Sequence, residues 1–197
     1  MPSIKLDVPY FTQVDNDDNY FGSGLRQCCL TSNAMAANFI LQDRGMESLE
    51  QQAKRLGLNE PESAYGKILN KYGDTTDHTA NTQALAELGL ESYFSTSLSV
   101  ENAIASLDKK LPMPAGLNYK GSGHIVCLVG YDTSEKYFWV HDPYGIRAGI
   151  ADYYEAIGGQ SGKYDKYSFE TMEDLWTSQD DGWGRVFTAI GGKPTGL

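Results

Sequence analysis

Two adjacent cysteines and three histidines hold most of the reactive chemistry in this sequence. Cys28 stands just ahead of Thr31-Ser32-Asn33-Ala34-Met35, a run of small and apolar residues that reads as the opening of a helix. A helix N-terminus offers unbonded N–H groups and a partial positive charge, and both stabilise a thiolate. The thiolate is the nucleophilic form, so Cys28 stands where a catalytic cysteine belongs. Such a nucleophile needs an imidazole to take and return a proton, and a third group to fix that imidazole's tautomer. His124 meets the first need: it follows Gly121-Ser122-Gly123 and opens Ile125-Val126-Cys127-Leu128-Val129-Gly130, the most apolar stretch of the chain. Asp142 meets the second: it directly follows Tyr137–His141 and is stopped at once by Pro143-Tyr144-Gly145. The stretch between, Asp132 to Lys136, has hairpin length, which brings His124 and Asp142 to the same edge of one hairpin.

Each of these residues also has a plainer reading. A buried cysteine is usually a small hydrophobe, a lone histidine a satisfied structural group, and Asp-Pro a turn opener. The order cysteine, histidine, aspartate, with the last two on one hairpin, favours chemistry. Cys127 lies in the apolar run and reads as core. His141 adjoins Asp142 but points to the other side of its strand and reads as structural. His78, in the polar stretch Gly73 to Asn81, reads as exposed. Trp139 and Trp176 read as packing residues, and Trp183, in Gly182-Trp183-Gly184, as a candidate wall of a substrate groove.

The surrounding elements must position these groups. Ile4 to Val8 alternates apolar and polar and is followed by Pro9, which marks a short edge strand. Helices are expected at Thr31 to Gln42, Glu47 to Leu56, Pro61 to Tyr72, Thr82 to Leu88 and Val100 to Leu107, with Ser99 capping the last. Glu91 to Thr96 is a candidate strand. Met113–Tyr119, Ile125–Tyr131, Tyr137–His141 and Val186–Ile190 are rich in β-branched and aromatic residues and read as strands of one antiparallel sheet. Helices first and strands second, without strict alternation, give an α+β class. Residues 1–190 are expected as one domain and Gly191 to Leu197 as a loose tail.

Composition narrows the function. The chain has 197 residues and a net charge of −10, which disfavours nucleic acid as a partner. No apolar run approaches the ~20 residues of a membrane span. Met1-Pro2-Ser3-Ile4-Lys5 lacks an apolar signal region, so the location expected is cytoplasmic, or outside the cell without a cleaved signal. Three cysteines make no disulfide framework and, with the three histidines, no zinc spacing. Asp15, Asn16, Asp17, Asp18 and Asn19 invite a calcium reading, but the position where such a loop needs glycine is Tyr20, so a solvated loop is expected. Neither metal nor organic cofactor is implied.

Four motifs together resemble a papain-like cysteine peptidase. They are Val8-Pro9-Tyr10-Phe11-Thr12-Gln13, Cys28 with Thr31-Ser32-Asn33-Ala34-Met35, Gly123-His124-Ile125-Val126 with Val129-Gly130-Tyr131, and His141-Asp142-Pro143-Tyr144-Gly145. The resemblance is to the bacteriocin-processing-type family (peptidase family C, number thirty-nine) and its stand-alone relatives, from about Leu6 to Trp176. It implies a papain-like fold, with a central helix starting at the nucleophile and packed on a C-terminal sheet. It implies Cys28 as nucleophile, His124 as base and acid, Asp142 as the orienting group, and Gln13 as an oxyanion donor beside the Cys28 N–H.

Two departures stand out. Cys29 occupies the family's usual glycine position, where it could narrow the substrate pocket or itself be the reacting thiol; motif register favours Cys28. Gln13 precedes Cys28 by 15 residues, a long separation, with Gln27 as the alternative donor. The implied activity is peptide or amide hydrolysis through a thioester, including the peptide part of peptidoglycan. The alternatives are a catalytically impaired peptide-binding module and a thioester-based acyl transferase.

Overall fold

The computed structural model describes residues 2–16, 20–119, 122–147, 153–178 and 182–197. Asp17, Asp18 and Asn19, and with them the calcium question, lie outside the described residues.

Strand β1 (Ser3–Lys5) leads through an extended segment and two 3-10 turns, Gln13–Asp15 and Gly24–Arg26, into helix α1 (Cys28–Asp43). Helices α2 (Leu49–Leu56), α3 (Pro61–Leu69) and α4 (His78–Glu87) follow, then β2 (Leu90–Ser95) and α5 (Val100–Asp108). The second half holds β3 (Met113–Tyr119), β4 (Ser122–Asp132), β5 (Tyr137–His141), β6 (Gly145–Arg147), β7 (Tyr154–Ile157) and β8 (Asp165–Ser168). A short helical segment, α6 (Phe169–Met172), continues as a π-turn over Glu173–Thr177, and β9 (Trp183–Ile190) and β10 (Lys193–Pro194) close the chain. Among the described residues the main sheet runs β10-β9-β3-β4-β5-β8, with β1 on β4 and β2 on β9, all antiparallel. This is the expected α+β arrangement with a papain-like central helix.

Helix α1 is buried over most of its length, from Cys29 through Asn38, and again at Ile40 and Leu41. Ala34, Ala36 and Ala37 let it lie close to both its helical neighbours and the sheet. Polar pegs fix it. The Ser32 hydroxyl donates to the Ile125 carbonyl at 3.0 Å, which docks the first turns of α1 beside His124. Asn33 Nδ2 and the Tyr65 hydroxyl both donate to Asn81 Oδ1, at 3.2 and 2.8 Å, tying α1, α3 and α4 together. Capping boxes at Ser48–Gln51 and Ser99–Asn102 start α2 and α5.

Two expectations are corrected. Helix α4 begins at His78, four residues before the expected Thr82, because Asp77 caps it by accepting from the N–H groups of Thr79 and Ala80. The tail is not loose: Gly191 and Gly192 adopt positive φ (55° and 77°), the chain reverses, and β10 pairs with β9. The Thr195 hydroxyl then donates to the Phe187 carbonyl at 2.8 Å.

Candidate active site

Sheet register brings the hairpin pair together. Cys127 faces His141 across β4 and β5, so continuing the ladder sets Asp142 opposite Val126. Residues 126 and 124 share a face of β4, which puts the Asp142 and His124 side chains on one side and His141 on the other. His124 Nε2 lies 2.7 Å from Asp142 Oδ1. With Nε2–H given to the carboxylate, Nδ1 is left for the thiol of Cys28, whose ionisation the imidazole favours.

Asp142 is fully buried and fully engaged. Oδ1 also accepts the Tyr144 N–H at 2.9 Å, and Oδ2 accepts the Tyr154 hydroxyl at 3.0 Å. Its backbone N–H donates to the Gly162 carbonyl at 3.0 Å, and its carbonyl accepts the Tyr10 hydroxyl at 2.7 Å. Burial and the nearby carboxylate hold the Tyr154 hydroxyl protonated, so it donates to Asp142.

Cys28 is the first residue of α1, whose N-terminus carries no side-chain cap. Burial opposes its thiolate, but the His124 imidazole and the Ile125 backbone together outweigh burial and hold the thiol below its usual range. Burial likewise opposes the His124 imidazolium, and the Asp142 carboxylate overcomes it, with Cys28 adding to the rise. The two shifts point to one state, a thiolate–imidazolium pair backed by a carboxylate.

Beside this pair lies a cavity of about 390 Å³. Cys28, Cys29 and His124 border it, with Ile125, Leu175, Trp176 and Trp183 among its apolar walls. A family model described as the Peptidase_C39 like family matches residues 5–180, nearly the whole chain. The chain belongs to this family of cysteine peptidases. No curated protein matches it. A structure from Bacillus anthracis described as a C39-like peptidase aligns with TM-score 0.55 at 15% identity, covering 95% of this chain and 98% of that one. Xylellain, a cysteine protease from Xylella fastidiosa, aligns with TM-score 0.50 at 16% identity, covering 94% and 86%. These two share the fold of this C39-like chain.

Within this C39-like chain the other expected site residues fall apart by position. Cys29 borders the cavity, but its thiol is buried, accepts from Asn33 Nδ2 at 3.4 Å, and is pushed up by burial to about 12. Trp183 borders the cavity and is 38% exposed. Gln13 Nε2 donates to the carbonyls of Gly24 and Leu25 at 2.9 and 3.0 Å, and Gln13 is not among the residues that border the cavity. Gln27 Nε2 donates to the Gly22 carbonyl at 3.1 Å, and its Oε1 accepts from Asn16 Nδ2 at 2.9 Å.

His78 is a correction. It is half-buried, stacked on Phe94 with centroids 3.6 Å apart, and borders the cavity, because it opens α4 instead of lying in a loop. Sequence reasoning also missed Tyr154 as a partner of Asp142. Tyr10 stood inside a recognised motif, whereas nothing in the spacing around Tyr154 marks it.

His141 is structural, as expected. Its Nε2–H donates to the Val8 carbonyl at 2.9 Å and its Nδ1 accepts the Tyr164 N–H at 3.0 Å, so the ring is neutral. Burial lowers its pKa to about 4, against 6.5 for a free histidine. The unfolded chain therefore binds the proton first. The stability from His141 is full above about pH 6.5 and is lost as pH falls towards 4, roughly 3 kcal/mol in all. Thermal melts of the parent and of His141→Gln should show a steeper acid-side fall of Tm in the parent. Parallel curves would reject this account.

Proposed function

We propose that the chain hydrolyses peptide bonds with Cys28 as nucleophile, His124 as general base and acid, and Asp142 as the orienting group. The observation that carries this reading is the 2.7 Å His124–Asp142 hydrogen bond with the Cys28 thiol on the imidazole's other side, at a helix N-terminus beside an apolar cavity. The Cys28 sulfur attacks the carbonyl carbon, and the negative charge that develops on oxygen meets the Cys28 N–H. His124 passes its Nδ1 proton to the leaving nitrogen, the C–N bond breaks, and a thioester remains. Water then enters, His124 takes its proton, and the acid product leaves as the thiolate reforms.

Helical backbone at Cys29 supports turnover over a binding-only role, since the position does not need glycine. Cys29 and Trp183 are assigned to the substrate-facing wall. Two refinements use the same site. Release of new amines from purified peptidoglycan tests cleavage of its peptide part, and mass spectrometry of products with added amines tests acyl transfer. The direct test is a peptide-library digest with Cys28→Ala and Cys29→Ala. Cys28→Ala should abolish cleavage and Cys29→Ala should retain it. Turnover surviving in Cys28→Ala, or saturable peptide binding with no turnover in the parent, would overturn the proposal.

A further inference from the structure

The extended segment Tyr10–Gln13 touches both halves of the site. On one side the Tyr10 hydroxyl donates to the Asp142 carbonyl at 2.7 Å. The Thr12 hydroxyl and the Gln13 N–H both donate to the Pro143 carbonyl, at 3.0 and 2.8 Å. On the other side, Gln13 Nε2 reaches the carbonyls of Gly24 and Leu25. Those carbonyls belong to the 3-10 turn Gly24–Arg26, and the next residue, Gln27, is the N-cap of α1. The turn is seated tightly: a Cβ on Gly24 would lie 2.1 Å from the Gln13 carbonyl oxygen. Gln13 itself is buried.

We propose that Gln13 is a positioning residue that ties the turn carrying Cys28 to the strand end carrying Asp142. The proposal rests on the thiolate–imidazolium reading of Cys28 and His124. Sulfur and imidazole come from different halves of the fold, and their separation depends on how the α1 turn is held against the β5 end. One side chain making two hydrogen bonds to the turn, from a backbone anchored on Pro143, fixes that separation. Misplacement of reacting groups by about 1 Å costs up to roughly a hundredfold in rate. A glutamine donating to an oxyanion and a glutamine holding the turn make different predictions. Alkylation of a thiolate forms no oxyanion, so it reports only how well the Cys28–His124 pair is set.

The test measures iodoacetamide alkylation of Cys28 across pH, and kcat and KM on a cleaved peptide, in the parent, Gln13→Glu and Gly24→Ala. A carboxylate at position 13 cannot donate to the two carbonyls, and a methyl at position 24 pushes the turn away while leaving the glutamine intact. Both variants should slow alkylation below pH 7 by about tenfold or more, move the acid limb of the profile upwards, and lower kcat with KM little changed. If Gln13→Glu does not fold, Gly24→Ala and Thr12→Val carry the same test from the two ends of the tie. A fall in kcat with an unchanged alkylation profile would make Gln13 an oxyanion donor and overturn the proposal. Unchanged kcat and alkylation would overturn it too. A parent whose Cys28 labels only near the free-thiol pKa of about 8.5 would instead sink the thiolate–imidazolium reading itself.

Discussion

Replacing His124 by alanine is expected to lower kcat/KM for a cleaved peptide by roughly 10³-fold and to slow Cys28 alkylation near pH 6.5 by about a hundredfold. The two losses have separate origins. Hydrolysis loses the group that protonates the leaving amine and then activates water. Alkylation needs neither step, only the thiolate. Without the imidazole, burial is left as the largest influence on Cys28, and it favours the neutral thiol. Labelling should therefore recover only well above neutral pH, and mass mapping should place the label on Cys28 in both proteins. Cys29 should stay unlabelled, because burial holds its thiol near 12. Equal labelling of the parent and His124→Ala at pH 6.5 would remove the imidazole from the account.

The second large effect concerns Asp142 and separates its geometry from its charge. Asp142→Ala leaves His124 Nε2, the Tyr144 N–H and the Tyr154 hydroxyl without their acceptor, all in a buried setting. The imidazole is then free to turn, and kcat should fall by roughly 10³-fold. Asp142→Asn keeps an oxygen for Nε2–H and for the Tyr144 N–H, while the Tyr154 hydroxyl rotates to accept from the new amide. Orientation survives and only the charge is lost, so kcat should fall by about tenfold. The sign of the pH effect follows from His124. Its imidazolium is held up chiefly by the Asp142 carboxylate, so removing that charge lowers its pKa and moves the alkaline limb of the rate profile to lower pH. Equal losses in the two variants would show that charge, and not orientation, is the contribution of Asp142. An unmoved alkaline limb in Asp142→Asn would show the reverse.

The geometry of the candidate site was legible in the sequence wherever it depended on strand parity and helix ends. Cys28 heads a helix of small residues, and hairpin arithmetic alone brings His124 to Asp142. His141 was separable from Asp142 by the same parity. What stayed illegible came from tertiary contacts. The role of Gln13 turns on where the chain returns after its long detour, which no local pattern encodes. His78 lies in a polar stretch, and only the packing of α4 against β2 brings it onto Phe94. Strands β6 to β8 are three or four residues long, too short for a period to register. The tail looked loose because two consecutive glycines read equally as a linker and as a tight reversal, and the partner strand decides between them.

The tie between Tyr10 and Asp142 spans 132 positions of chain. Contacts so far apart in sequence form late in folding. At ribosomal rates of about 5–20 residues per second, Asp142 is made roughly 6–23 s after Cys28. Through that interval the cysteine has no carboxylate-backed imidazole to ionise it and no closed tie to hold its turn. On the proposed roles of these residues, the nascent chain carries an inert thiol past its neighbours, and competence arrives only when the two ends of the domain have met.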